Sequence, residues 1–301
     1  INRSGEGRPG YLPVYEHGYG IQKIHQVLIG SRKVLWRDYP LWQNKHHTQH
    51  ILDLLRKDND LVFIAHPRFS RNFSVENTKF LSNYDGIEVL NGYRNSLEYW
   101  DNALSTGHYA KILANDDTHY IDNPDEIARK ISFINTPDLE EKSIVEAIKK
   151  GRVFGADVFR PLGESLDVKA KRIARLPLLM DVSLKTDTLM VVVDSVASEF
   201  DFIGQQGKLQ HSVKETDTAY YILQDTDTYI RVEIAYPDGT RYYLNPIARS
   251  VTNAMPLMPE VYVSSIKTNL LRFAYGFVFL SLILLLLRRK KGKNKYKNRY
   301  D

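Results

Sequence analysis

Two histidines and an aspartate stand where short apolar runs stop, and their side chains suit a divalent cation. His66 follows Leu61-Val62-Phe63-Ile64-Ala65, which is too short for a helix and rich in β-forming residues, and Pro67 ends the run. Asp117 and His119 follow a second run at residues 109–114 and are separated by Thr118. With extended backbone through Thr118, both side chains leave on one face. A carboxylate beside an imidazole suits Zn²⁺, Mn²⁺ or Fe²⁺ better than Ca²⁺. Taken singly, each residue reads as a satisfied or solvated polar side chain; three metal-competent residues at equivalent strand ends set a metal site on an equal footing with that reading. Arg68, just past His66, offers a guanidinium matched to phosphate oxygens or, on the competing reading, a surface ion pair.

These residues need a frame, and the pattern over residues 61–119 is strand, helix, strand, helix, strand. The middle strand is Gly86-Ile87-Glu88-Val89-Leu90, stopped by Asn91-Gly92, with Glu88 in a supporting or structural role. Parallel strands joined by crossover helices carry their chemistry beyond the strands' carboxyl ends. Helices are predicted at residues 44–56, 95–104, 125–134 and 138–150, the last capped by Gly151 after two lysines. In the first of these, Ile51, Leu54 and Leu55 face the core. His46 and His50 are four apart there, lack the glutamate of a zinc-protease helix, and read as surface histidines. Trp36, Tyr39 and Trp42 precede it as an aromatic cluster suited to packing or a pocket wall.

The ordered series Ala65-His66-Pro67, Asp85-Gly86-Ile87-Glu88-Val89-Leu90-Asn91-Gly92, Asp117-Thr118-His119 and Ser143-Ile144-Val145-Glu146-Ala147-Ile148-Lys149-Lys150-Gly151-Arg152-Val153 resembles the later part of a PHP domain, of the polymerase and histidinol phosphatase superfamily. The likeness covers about residues 10 to 157. It implies a distorted seven-stranded β/α barrel that holds two or three divalent metal ions and cleaves phosphoesters. It further implies Glu16, after Tyr11-Leu12-Pro13-Val14-Tyr15, as a metal-bridging carboxylate, and His25 as the ligand that follows. The implied metal set is Glu16, His25, His66, Asp117 and His119, with Arg68 joining them in catalysis. The family's His-x-His pair is absent from these residues, and the first matching element resembles the family's third or fourth strand. An N-terminal segment carrying that pair, two or so strands and a signal peptide is therefore expected before Ile1. His17 adjoins Glu16, but neighbours on a strand point to opposite faces.

The net charge of +5 is concentrated at one end. From Arg288 onward eight basic residues stand against Asp301, a balance of +7, so the remainder is near −2. No nucleic-acid face is indicated. The chain has no cysteine, which excludes disulfides, thiolate ligands and thiol nucleophiles. Residues 273–287 are uncharged and apolar. Extended to Leu270 with Arg272 snorkelling, about 18 residues span roughly 27 Å, close to a bilayer's hydrocarbon core. The basic flank is expected on the cytoplasmic side and the main domains outside the cytoplasm.

Helical periodicity ends after Asp157. Residues 158–175 read as a linker. Ile230, Val232, Ile234 and Tyr236 alternate with Arg231, Glu233 and Ala235, and Pro237-Asp238-Gly239 turns the chain into residues 241–244, a hairpin with one buried face. The expected α/β architecture is a partial distorted (β/α)7 barrel at residues 1–157, an all-β immunoglobulin-like sandwich at 176–262, a transmembrane helix at 268–288 and a basic tail at 289–301. The expected activity is a membrane-anchored, metal-dependent phosphoesterase acting through a metal-bound hydroxide on a phosphorylated small molecule or nucleotide-like substrate. Two other readings stand beside it. One is a non-catalytic cell-envelope binding protein that retains the barrel as a scaffold. The other is amidohydrolase-like C–N or C–O hydrolysis, which needs a carboxylated lysine or a different spacing at the fourth strand.

Overall fold

A computed structural model describes residues 5–20, 22–248 and 262–297, with side chains to residue 290. Part of the expected sandwich (residues 249–261) and the side chains of most of the basic tail lie outside the described residues. The fold is mixed α/β, with two large sheets and one apolar C-terminal helix.

The first sheet has the order β1 (Val14–His17), β2 (His25–Ser31), β3 (Asn59–Ala65), β4 (Gly86–Asn91), β5 (Lys111–Asn115). β1, β2 and β3 are antiparallel neighbours; β3, β4 and β5 run parallel. The strands read as near-continuous apolar runs because both faces are covered. Leu28, Val62 and Ile64 pack with α1 (Lys45–Leu55) and α2 (Leu97–Ser105), whereas Val27, Leu61, Phe63 and Ala65 pack with α3 (Glu141–Lys149). α1 starts at a reciprocal cap: Asn44 accepts from the amides of His46 and His47, and the His47 ring accepts the Asn44 amide.

The helix expected at residues 125–134 is instead a short turn at Pro124–Glu126 followed by β6 (Lys130–Ile134). The Asp116 carboxylate accepts the backbone N–H groups of Ala128, Arg129 and Lys130 at 2.5, 2.7 and 2.7 Å, with Ala128 at φ +59°. Amides converging on one carboxylate cannot also follow a helical ladder.

β6 pairs with β7 (Val153–Asp157), and both belong to the second sheet. The ladder of the first sheet therefore stops at β5 instead of running on through β6 and β7, and side chains span the seam. The Ser132 hydroxyl donates to the Ala114 carbonyl and accepts the Ala114 N–H, both at 2.9 Å. Asn245 accepts the Ile112 N–H at 2.8 Å and donates to the carbonyls of Gly151 and Val153. Gly155 makes the approach possible, since a Cβ there would lie 2.9 Å from Ile112 and Leu90.

The second sheet continues through β8 (Leu179–Lys185), β9 (Thr188–Gly204), β10 (Lys208–Ile222), β11 (Tyr229–Ala235), β12 (Arg241–Leu244) and β13 (Ile247–Ala248), in the order β10-β9-β11-β12-β7-β6 with β8 on β9 and β13 on β11. Among the described residues its eight strands form one hydrogen-bonded sheet rather than two separate sandwich sheets. β9 pairs with β8 along its first half and β11 along its second, and residues of both halves share one core. The hairpin falls as its alternation predicts, with Gly239 at φ +94° in the turn. The expected linker contains α4 (Leu166–Ile173), capped by Ser165.

The alternation puts Arg231 on the hairpin's solvent side, yet it is buried against α2. It makes two 2.8 Å bonds to the Asp101 carboxylate and lies 5.1 Å over the Trp100 ring. The hairpin's second face is thus covered by the first half of the chain.

α5 (Ser265–Lys297) is long and apolar enough over residues 265–290 to cross a membrane, and little of it is buried. Its first turns rest on α1: His46 Nδ1 is 3.0 Å from the Thr268 hydroxyl, and Tyr275 packs against Tyr39, Trp42 and His47. Of His46 and His50, which the spacing reads as surface histidines, His46 is half-buried where it meets Thr268 and His50 is buried, with the Tyr39 hydroxyl 2.7 Å from its Nδ1.

Candidate metal centre

Strand register brings Glu16 and His25 together. Glu16 on β1 is opposite Val27 on β2, so His25, two residues earlier on β2, is its diagonal neighbour on the same face. His25 in turn pairs with Ala65 on β3, the residue before His66. His25 Nδ1 lies 2.7 Å and His66 Nε2 3.1 Å from the same Glu16 oxygen. One ligand atom from each of Glu16, His25 and His66 falls within 4.8 Å of the other two. His17 points to the opposite face, where it is buried and bonded to Gln26 and the Arg37 carbonyl.

The His25 ring is held from behind, and the His66 backbone is held in place. His25 Nε2 faces the Gly20 carbonyl at 3.0 Å; a carbonyl can only accept, so this nitrogen carries hydrogen and Nδ1 is turned to Glu16. Gly18, at φ +130°, leaves room for that ring, since a Cβ there would sit 2.4 Å from His25 Cδ2. His66 has φ +26°, left-handed for a residue with a side chain, and its backbone N–H donates to Glu88 Oε2 at 3.0 Å. Strain of this kind costs on the order of 1–3 kcal/mol and persists only where surroundings fix it.

Charge in the group is uneven. Burial pushes the Glu16 carboxyl up, but hydrogen bonds from His25 and His66 and their charges outweigh it and hold the group at about 2. For His66 burial favours the neutral ring, yet its bond to Glu16 and the charges of Glu88, Glu16 and Asp117 raise its pKa. Glu88 is fully buried beneath them, and burial pushes its carboxyl up to about 7 against the opposing pull of His66 and Asn91.

Asp117 and His119 stand apart from the three. β5 ends at Asn115, and Asp117 takes φ +53°, so the extended run through Thr118 that puts both side chains on one face is not formed. Asp117 reaches the centre through other residues: Asn91 donates to both Glu88 Oε1 at 2.9 Å and Asp117 Oδ2 at 3.2 Å. His119 Nδ1 turns back to the Asp117 carbonyl at 2.9 Å and lies 3.3 Å from the Tyr93 hydroxyl. Arg68 is exposed, 3.9 Å from Glu98 and bonded to the Asn95 carbonyl.

The structure adds residues not picked out from sequence. Glu126 accepts the amides of His119 and Tyr120 and holds the loop after β5. Arg129 is buried 5.3 Å over the Tyr93 ring, and its Nε and Nη2 have no hydrogen-bond partner among the described residues. No local motif marks either one; both matter through the Asp116 turn, a long-range feature.

No family model and no curated protein matches this chain. Among solved structures it is similar to the crystal structure of a two-domain protein containing a predicted PHP-like metal-dependent phosphoesterase from Bacteroides vulgatus. The two share 13% identity over 78% of this chain and 74% of that one, with a TM-score of 0.35. The geometry of the cluster, not this likeness, carries the functional reading.

The donor set fits a divalent cation. Two imidazoles and one carboxylate are a borderline-hard combination suited to Zn²⁺, Mn²⁺ or Fe²⁺. Three protein ligands leave a four-coordinate ion one open position, the arrangement of catalytic rather than structural sites. Glu16 is the most exposed of the three, so the group opens toward solvent on its side.

Proposed function

We propose that this chain is a membrane-anchored, metal-dependent phosphoesterase whose centre is built on Glu16, His25 and His66, with Asp117 and His119 as ligands to a further ion. The observation that carries this is the approach of the three donor atoms to within 4.8 Å, with the His25 ring held from behind by the Gly20 carbonyl and the His66 backbone held by Glu88. A bound divalent ion supplies Lewis acidity toward a phosphoryl oxygen and acidifies water near neutral pH. The protein's own part is positional. Glu16 stays ionised across the physiological range, Gly20 fixes the His25 ring, and Glu88 and Asn91 link His66 to Asp117. The buried Arg129 charge beside Tyr93 favours an anionic substrate on the His119 side. We read the first half as a PHP-like barrel whose ring is completed by the Ser132 and Asn245 bridges, the second as an immunoglobulin-like unit made by folding one sheet over, and α5 as a span with its basic flank cytoplasmic.

The test uses the full chain in detergent with an aryl phosphate, under added Mn²⁺ or Zn²⁺ and under chelator. Chelation is expected to abolish hydrolysis, with recovery on adding metal and no recovery in His66→Ala. Hydrolysis indifferent to chelation removes the metal role. A non-catalytic scaffold is favoured by one observation, that Arg68 engages Glu98 while Asp117 and His119 stand off the three-residue group. Metal binding without turnover on monoesters and diesters selects it.

A further inference from the structure

The start of α5 and the loop ahead of α1 enclose a cleft of about 730 Å³, lined by Arg37, Tyr39, His50, Arg272, Phe273 and Phe279 among others. Its two ends differ chemically. The end near the body carries two guanidiniums, and among the described residues neither has a carboxylate within 4.0 Å. Asp38 also lines the cleft, but Lys23 neutralises it at 2.5 Å. Along α5 the lining becomes Phe273, Gly276 and Phe279, an apolar groove on the helix itself.

Length fixes where this cleft sits if α5 spans a bilayer. From Phe273 to Leu287 there are only 15 uncharged residues, or roughly 22 Å of helix, against a hydrocarbon core of about 30 Å. Arg272 must then lie at the headgroup boundary, and it cannot go there alone. Three residues on, Tyr275 accepts the Leu41 N–H at 2.5 Å and packs on Tyr39 and Trp42, so the loop follows the helix to the same depth. That loop exposes Trp36 by 77%, with Leu41 and Trp42 each at 44%. Solvent-facing tryptophans beside cations are the composition of a membrane interface.

Resting on the membrane-anchor reading above, we propose that the cleft between residues 36–40 and the start of α5 binds the phosphate of an anionic membrane phospholipid, with Arg37 and Arg272 on the headgroup and an acyl chain along Phe273, Gly276 and Phe279. Guanidiniums match phosphate oxygens in pairs, and the groove below them offers the chain an apolar path into the bilayer. His50, 8% exposed and beside both arginines, closes the inner wall. The bound lipid seats the body flat on the surface. It also sets the metal centre close to it, because the loop after β1 that carries Gly18 and Gly20 against His25 is tied to residues 36–39 by Lys23 and Tyr19.

The test is lipid retention by the full chain, reconstituted in vesicles of phosphatidylcholine with equal phosphatidylglycerol, extracted in mild detergent and weighed by native mass spectrometry. Wild-type protein is expected to retain phosphatidylglycerol about tenfold over phosphatidylcholine, the worth of one or two charge-assisted bonds. Arg37→Gln with Arg272→Gln should lose the preference, and Arg37→Gln alone, at an exposed side chain, should weaken it without disturbing the docking of α5. Equal retention of the two lipids, unchanged preference in the double variant, or displacement by millimolar inorganic phosphate overturns the proposal. Alkaline carbonate extraction separates the two levels: protein that stays in the membrane but shows no preference sinks the lipid site alone, whereas extracted protein sinks the anchor and the site with it.

Discussion

Glu16 and His25 lie on adjacent strands whose register fixes their spacing and His66 directly follows the third, whereas Asp117 and His119 lie on a loop whose path is set by Asp116 and Glu126. In the first region a side chain's direction follows from the pleat, and a one-residue slip would turn all of it to the other face. Both regions contain a left-handed residue, but His66 directly follows a paired strand residue, whereas Asp117 stands two residues past the end of β5, where side-chain contacts decide the outcome. The difference teaches that the same donor types at equivalent strand ends acquire different rigidity from what lies behind them.

The comparison predicts a gradient of effects on metal binding. Glu16→Gln or His66→Ala should weaken the first ion by roughly a thousandfold, since a third of a small ligand set is lost, measured by competition with a chromophoric chelator. Gly18→Ala touches no donor atom but drives a methyl into the His25 ring, and should cost about 10–100-fold, the usual range for outer contacts, together with a fall in melting temperature, because φ +130° strains any residue with a side chain. Asp117→Ala and His119→Ala should leave the first ion's affinity within about tenfold while lowering turnover and the occupancy of a second ion. Equal losses from both regions would show that the loop closes on the strands when metal binds, and would erase the contrast.

How much of this was readable in the residues depends on the range of the forces involved. The strands and their end points at His66, Asn91 and Asn115 follow from short apolar runs and their stops, so the frame and its rim were legible. The hairpin through Gly239 was legible for the same reason. The helix expected at residues 125–134 failed because Asp116, nine residues before that segment, captures its amides. Arg231 misled because alternation tells which side a residue faces and not what covers that side. His46 and His50 misled likewise, since the helix that touches His46 and shares a cleft with the buried His50 lies more than two hundred residues away. Glu16 and His25 came from resemblance, and the antiparallel register supplies the local reason they meet.

The smallest predicted effect on the centre comes from the anchor side. Burial, reinforced by the charges of Arg272 and Arg37, lowers the His50 pKa to about 4. With the folded value depressed, stability is full above the unfolded value near 6.5 and is lost as pH falls toward about 4, because only the unfolded chain takes up the proton. The loss should approach about 2 kcal/mol for wild-type protein and be much reduced in His50→Gln, read by thermal denaturation from pH 7 to pH 4.5. Metal affinity at pH 7 should not change in that variant.

The Asn245 bridge has a consequence for the order in which the molecule is made. The edge of β5 and the edge of β7 are both synthesised long before the amide that joins them. Until residue 245 has emerged, a nascent chain holds the β1–β2 hairpin beside an edge joined by Ser132 at Ala114 but open at Ile112. The protein is therefore expected to mature in one late step, and a ribosome stalled short of that asparagine should display a body that proteases open beside Ile112.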